Sequence, residues 1–237
     1  MSRSLKGGYF RSKDFGVLHE DINKAVASVM SKSGEVSSLV YAEHLSNLIE
    51  GLDDKEFINF FPLVPTEDEG RLNDSRIREN FIVRVFSFKR FILLLKEKFS
   101  LGKWVKFHTQ HKFLLLAHSR KHYDELGELV AHAKTIKPSA LKEKYGDLFM
   151  EALACKTTPK KNTDVLLHMM GFFKKLLNKV EKEDILAAIE DYRNEILPLI
   201  VPVTIIRHQV KKYNIEYLRD QVYLNPHPKE LMLLNHV

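Results

Sequence analysis

The amino-acid sequence predicts an all-α protein, a multi-helix bundle with a short helical N-terminal extension. Three observations carry that expectation. Apolar residues recur three and four positions apart through most of the 237 residues. No stretch alternates β-branched and polar residues as a half-buried strand would. Proline, glycine and capping residues punctuate the chain at intervals of helix length.

Residues 1–16, rich in Gly, Ser and Lys, read as a loose terminus. Residues 17–31 and 37–51 have amphipathic helical spacing, separated by Ser31–Gly34 and ended by Gly51. Between 60 and 75, Pro62, Pro65, Gly70 and the acidic triplet Glu67-Asp68-Glu69 favour an ordered loop. Asn73, Asp74 or Ser75 then suits the cap of a long helix over about 76–99, on which Phe81, Val85, Phe88, Ile92 and Leu95 share a face. From Leu101 onward the spacing predicts helices near 101–117, 119–134, 138–155, 163–180, 182–196, 198–212 and 214–222. Thr157–Asn162 reads as a loop ahead of a helix starting near Asp164, and Pro198 and Pro202 suit a helix start or a kink. Asn225-Pro-His-Pro reads as a turn, with a last short helix over 228–235. The expected division is an extension, 1–75, and a helical domain, 76–237.

Composition narrows the function classes. Cys155 is the only cysteine, which excludes a disulfide framework and any iron–sulfur cluster ligated by this chain's cysteines alone. The N-terminus lacks an apolar signal core, and no apolar run reaches the ~18–20 residues of a membrane span. The expectation is a cytoplasmic protein without membrane partners. Net charge is +6 and unevenly placed: residues 1–100 hold 15 Lys/Arg and 15 Asp/Glu, residues 101–237 hold 22 and 16. Residues 103–175 contribute 14 Lys/Arg against 7 acids, with six His. A localised basic excess favours a polyanion, nucleic acid first, although a solvated helical face gives the same count.

Residues 107–127 are the richest in chemistry. His108, His111, His118 and His122 fall on one face of a continuous helix, beside Lys112, Arg120 and Lys121. Ser119 is also an acceptable N-cap, and a break there leaves His108 and His111 on one helix while rotating His122 away. The His spacings fit a metal, with His168 or His208 joining, but no HExxH, EF-hand loop or paired Glu-x-x-His accompanies them. Phosphate fits more of the residues: Lys112, Arg120, Lys160, Lys161 and Asn162 supply charge and donors, with Lys174 and Arg207 in neighbouring clusters. Tyr123, Phe172, Phe173, Tyr192, Tyr213 and Tyr223 interleave them; such rings stack on unpaired bases, although Phe172 and Phe173 read better as core. Ser119 beside two histidines suggests a Ser–His pair, but adjacency in sequence is not triad geometry.

Several of these residues also carry a resemblance. Phe107-His108-x-x-His111-Lys112, Ala117-His118-Ser119, Tyr123 and Leu126-Gly127, then Asn162-Thr-Asp-Val-Leu-x-His168-x-x-Gly171-Phe-Phe-Lys174, are similar to two motifs of the YbgA-like family. Tyr192-Arg193 with Pro198-Leu-Ile-Val-Pro202, and Tyr217-Leu-x-x-Gln221-x-Tyr223-Leu-x-Pro226-His-Pro228, resemble the remainder of that domain. The resemblance spans roughly 100–237. It implies an all-helical domain that also occurs C-terminal to the TudS-type domain of RudS thiouridine desulfidases, where it would hold the RNA. Residues 60–92 look like the junction in those fusions, but none of the cluster cysteines precedes them.

The expected function is therefore an RNA-binding module, tRNA foremost, associated with thiouridine desulfuration and carrying no cofactor of its own. A separate desulfidase would supply the cluster chemistry. The expected face comprises His108, His111, Lys112, His118, Ser119, Arg120, Tyr123, Lys160, Lys161, Asn162 and His168, with Lys174 and Arg207. The rival classes are an enzyme or a metal or small-molecule binder using His108, His111, His118 and His168, and a protein-interaction module docking on a desulfidase or repair partner.

Overall fold

The computed structural model describes residues 63–65, 67 and 70–228. The predicted helices at 17–31, 37–51 and 228–235, and nearly all of the predicted extension, lie outside the described residues. Among the described residues there are eight α-helices and no strand. They are α1 (Ser75–Lys96), α2 (Leu101–His118), α3 (Arg120–Ala131), α4 (Pro138–Ala154), α5 (Pro159–Met170), α6 (Lys179–Arg193), α7 (Ile200–Lys212) and α8 (Glu216–Arg219). Short 3-10 turns at Gly70–Asn73, Ala133–Thr135, Gly171–Phe173 and Val222–Leu224 link or end them.

Caps explain most boundaries. Asp74 starts α1 by accepting from the N–H groups of Arg76 and Ile77. Ser119 ends α2 and caps α3, its side chain accepting from the His122 N–H, so the histidine stripe is broken there. Asn178 and Glu181 form a reciprocal capping box that starts α6 three residues earlier than its apolar spacing predicts. Glu181 also bonds Lys212 and accepts from the Tyr213 hydroxyl at 2.9 Å, joining the start of α6 to the end of α7. Those contacts hold its carboxyl down to about 2, the Lys212 bond contributing most.

The largest departure from the sequence reading is at α5. Thr157–Asn162 is not a loop: Thr158 is the N-cap and Pro159 occupies the first turn, so Lys160, Lys161 and Asn162 are helical. The helix ends at Met170 and passes into the 3-10 turn Gly171–Phe173, well short of 180. The expected helix over 214–222 contracts to the single turn of α8.

Helix α2 lies at the centre, packed against α1, α3, α4, α5 and the Val222–Leu224 turn. Around it Phe91, Trp104, Phe107, Tyr145 and Phe149 form one aromatic cluster, with Trp104 edge-on to Tyr145 at 5.1 Å and Phe107 5.3 Å from Phe149. Gly146 makes that packing possible, because a Cβ there would lie 2.9 Å from the Phe91 ring. Gly146→Ala is expected to cost about 1–2 kcal/mol, the overpacking exceeding the gain in helix propensity. Urea unfolding checks this, and a stabilised variant would show that Phe91 moves freely.

Candidate functional site

The polar chemistry gathers at the two ends of α5. At its N-terminal end a cleft of about 380 Å3 opens between α1, the end of α2 and the end of α6, with Asn80, His118, Thr158, Asn162 and Tyr192 on its walls. His118 is 2% exposed, and its Nδ1 lies 2.7 Å from the Cys155 carbonyl. A carbonyl only accepts, so Nδ1 carries the proton and Nε2 is left as a lone-pair acceptor. The Asn80 amide, 3.5 Å from the same Nδ1, donates instead to the Leu153 carbonyl at 3.1 Å. Burial pushes the His118 imidazole down to about 4, which fixes it neutral.

The end of α2 is closed from outside its own helix. Lys161 Nζ donates to the His118 carbonyl at 2.7 Å and to the Lys156 carbonyl at 3.0 Å, satisfying acceptors that the helix leaves open. Beside it Asn162, buried in the first turn of α5, donates from Nδ2 to the Tyr192 hydroxyl at 2.9 Å and accepts from the Tyr223 hydroxyl at 3.1 Å. Burial raises the pKa of both phenols. At the rim Glu195 has φ 57°, a left-handed conformation, and pairs with Arg76 at 3.0 Å.

The other end of α5 meets an outer face of rings and cations. His168 is exposed and lies edge-on to Phe113 at 5.2 Å. Phe172, 37% exposed, stacks on Tyr217 at 5.2 Å with an interplanar angle of 10°. Lys112 sits over Phe113 at 5.4 Å and Arg120 over Tyr123 at 5.9 Å. Partial burial lowers the His168 pKa, and the charges of Lys112 and Arg120 lower it further, so these groups share one electrostatic neighbourhood.

The expected site residues are therefore divided. Lys112, Arg120, Tyr123 and His168 come together on the outer face. His118 and Asn162 line the cleft and Lys161 lies beside it, with Lys161 and Asn162 each making two structural bonds. His111 is 1% exposed, donates from Nδ1 to the Phe107 carbonyl at 2.7 Å and packs on the Phe107 ring at 4.1 Å; it is a core residue. Burial pushes it down to about 3. His108 hydrogen-bonds the buried Tyr145 hydroxyl at 3.2 Å, stacks on Tyr123 at 5.8 Å and is lowered to about 4 by burial. Lys160 and Lys174 are exposed, and Arg207 is half-buried, donating to the Leu224 carbonyl to hold the C-terminal turn.

Ser119 Oγ lies 2.7 Å from His122 Nδ1, and His122 Nε2 lies 3.7 Å from Glu151. The order is Ser–His–Glu, but the serine oxygen is engaged in capping α3, the outer distance exceeds a hydrogen bond and neither Ser119 nor His122 lines the cleft. Among the described residues no group of three or more His, Cys, Asp or Glu is arranged to hold a metal ion. Among them also, no helix is long and apolar enough to cross a membrane. Sequence reasoning gives Tyr217 no place on the face, takes Phe172 for core and assigns no role to Asn80. The signal for Tyr217 lies in its surroundings: α8 is too short to bury every apolar residue it carries.

These features define a class: an all-helical domain built on a buried, neutral-histidine helix, with a polar cleft and an aromatic–cationic face. Residues 112–228 match the family described as Protein of unknown function (DUF1722). The chain is also 26% identical over 163 residues to a protein of Escherichia coli (strain K12) described as "Uncharacterized protein YbgA", covering 68% of this chain and 96% of that relative. Together these matches support a YbgA-like family assignment for the chain. No solved structure matches it.

The buried imidazoles and the closing lysine each have a measurable consequence. His108, His111 and His118 are held neutral down to about 4, 3 and 4 in the fold, against 6.5 for an ordinary histidine. The unfolded chain therefore binds more protons below pH 6.5, so stability is constant in these groups above that value and falls as the pH drops toward 4. Urea unfolding is expected to show a weaker fold at pH 5 than at pH 7, and His111→Phe to shrink that difference; an undiminished difference would count against the assignment. Lys161→Ala is expected to destabilise by about 2 kcal/mol, through two lost charge-assisted bonds, while Lys160→Ala stays within about 0.5 kcal/mol. Equal effects would remove Lys161 from its closing role.

Proposed function

We propose that the chain is an RNA-binding module, with tRNA as its foremost ligand, serving thiouridine desulfuration without carrying the cluster chemistry itself. The observation that carries the reading is the outer face. Phe172 and Tyr217 offer a stacked pair of rings, with His168 and Tyr123 nearby and Lys112 and Arg120 beside them. Phe172 and His168 are exposed and Tyr217 and Tyr123 half-buried, and such rings bordered by cations suit a single-stranded or looped segment: every base has a face to stack, and every nucleotide a phosphate to neutralise. The basic excess of residues 103–175 supports attraction to a polyanion.

The link to desulfuration rests on the resemblance of residues 100–237 to the helical half of the fused desulfidases. One cysteine cannot ligate a cluster, so the reading requires a separate desulfidase protein as partner, acting in the cytoplasm where tRNA is found.

Binding of the whole chain to tRNA with and without thiouridine, titrated with salt, tests this. Phe172→Ala is expected to weaken binding about tenfold by removing a stacking ring. Lys112→Ala is expected to lower the salt slope by about 1. Unchanged affinity and slope in the double variant would overturn the proposed face. Preference for thiolated tRNA is the result expected for a desulfuration role, and equal binding would leave a general RNA holder.

A further inference from the structure

The cleft at the start of α5 lies apart from the outer face, and its polar groups are set for a different kind of contact. His118, on the cleft wall, turns Nδ1–H to Cys155, so Nε2 is the ring nitrogen left to accept. The ring's hydrogen-bond contacts among the described residues all run through Nδ1, so no described residue engages Nε2, on a side chain only 2% exposed. Tyr192, which also lines the cleft, accepts from Asn162, and its own O–H proton remains free to donate. Asn162 is in turn held by Tyr223, so the Tyr192 hydroxyl is positioned before any ligand arrives.

An unpartnered acceptor and a free donor on the walls of a cleft of about 380 Å3 suit a small planar molecule with a donor beside an acceptor. The charges on the cleft wall do not favour an anion. Asp74, Glu79 and Glu195 line the cleft against Arg76 and Lys156, and Arg76 is already paired with Glu195. We propose that the cleft is a pocket for a neutral nucleobase, whose N–H edge donates to His118 Nε2 and whose neighbouring acceptor receives the Tyr192 O–H. Asn162 is a positioning residue for that contact. The inference rests on the RNA-binding reading for the source of the base, a nucleotide turned out of a strand held on the outer face. From Asn162 to His168 along α5 is about 9 Å, which a strand crosses in about three nucleotides at its stacked rise.

The test uses the intact chain labelled with nitrogen-15 at histidine, titrated with each of the four ribonucleosides and no RNA. At least one nucleoside is expected to shift the His118 Nε2 resonance while leaving the exposed His132 unmoved. Its 5′-monophosphate is expected to bind no more tightly, and Tyr192→Phe, which keeps the ring, to weaken the nucleoside about tenfold. No shift at His118 with any nucleoside, an equal shift at His132, or full affinity in Tyr192→Phe would overturn the proposal. The two readings fail separately: tRNA bound while nucleosides leave His118 unmoved sinks the pocket alone. Nucleosides bound at His118 without any tRNA binding keep the pocket and sink the RNA-holding face.

Discussion

The joint at the end of α2 sets the positions of the molecule's other parts. There the His118 ring donates to the carbonyl of Cys155, the residue that caps the end of α4, and the His118 backbone carbonyl receives the ammonium of Lys161 from α5. One residue thus ties three helices together through both its ring and its main chain. The arrangement works only with a neutral imidazole, because a second proton would place a buried charge beside Lys161. Burial enforces that neutrality, and the bond to Cys155 fixes which nitrogen is left as the acceptor.

Helix α5 carries this joint to the surface. Its first turn supplies Lys161 and Asn162 to the buried side, and its last turn supplies His168 to the outer face. Thr158 and Pro159 set where the helix begins, and therefore which of its residues face inward. A start near Asp164 would leave Asn162 in a loop, without the fixed direction that joins Tyr192 to Tyr223. The cleft and the ring-lined face are consequently two outcomes of one helix register.

Much of the fold is legible in the sequence because apolar spacing and caps report local structure directly. Asp74 and Ser119 are recognisable as caps, and the apolar stripe of α1 buries as its spacing requires. The start of α5 is harder to read because Thr-Thr-Pro-Lys-Lys-Asn has the composition of a loop, although Thr followed by Pro is also a helix-start signal. The histidines show a deeper limit. Spacing places His108, His111 and His118 near one face, but whether that face meets water depends on what packs on it. Trp104, Phe107, Phe113, Leu114, Leu115 and Ala117 spread apolar positions over roughly 200° of α2, with His111 inside that arc, which is the pattern of a helix packed on several sides. On a central helix His111 has no solvent face to occupy and falls to the core. Phe172 and Tyr217 illustrate the converse, since adjacent phenylalanines at 172 and 173 point to opposite environments and no local pattern says which is buried.

The proposed seat of RNA is the face at the C-terminal end of α5, and hydrogen exchange of the whole chain with and without tRNA is its sharpest test. Slowed exchange at Gly171–Phe173, the following residues 174–178 and α8, with no change at Ala133–Thr135, is the predicted result. Protection centred on Ala133–Thr135, with none at Gly171–Phe173, would contradict it.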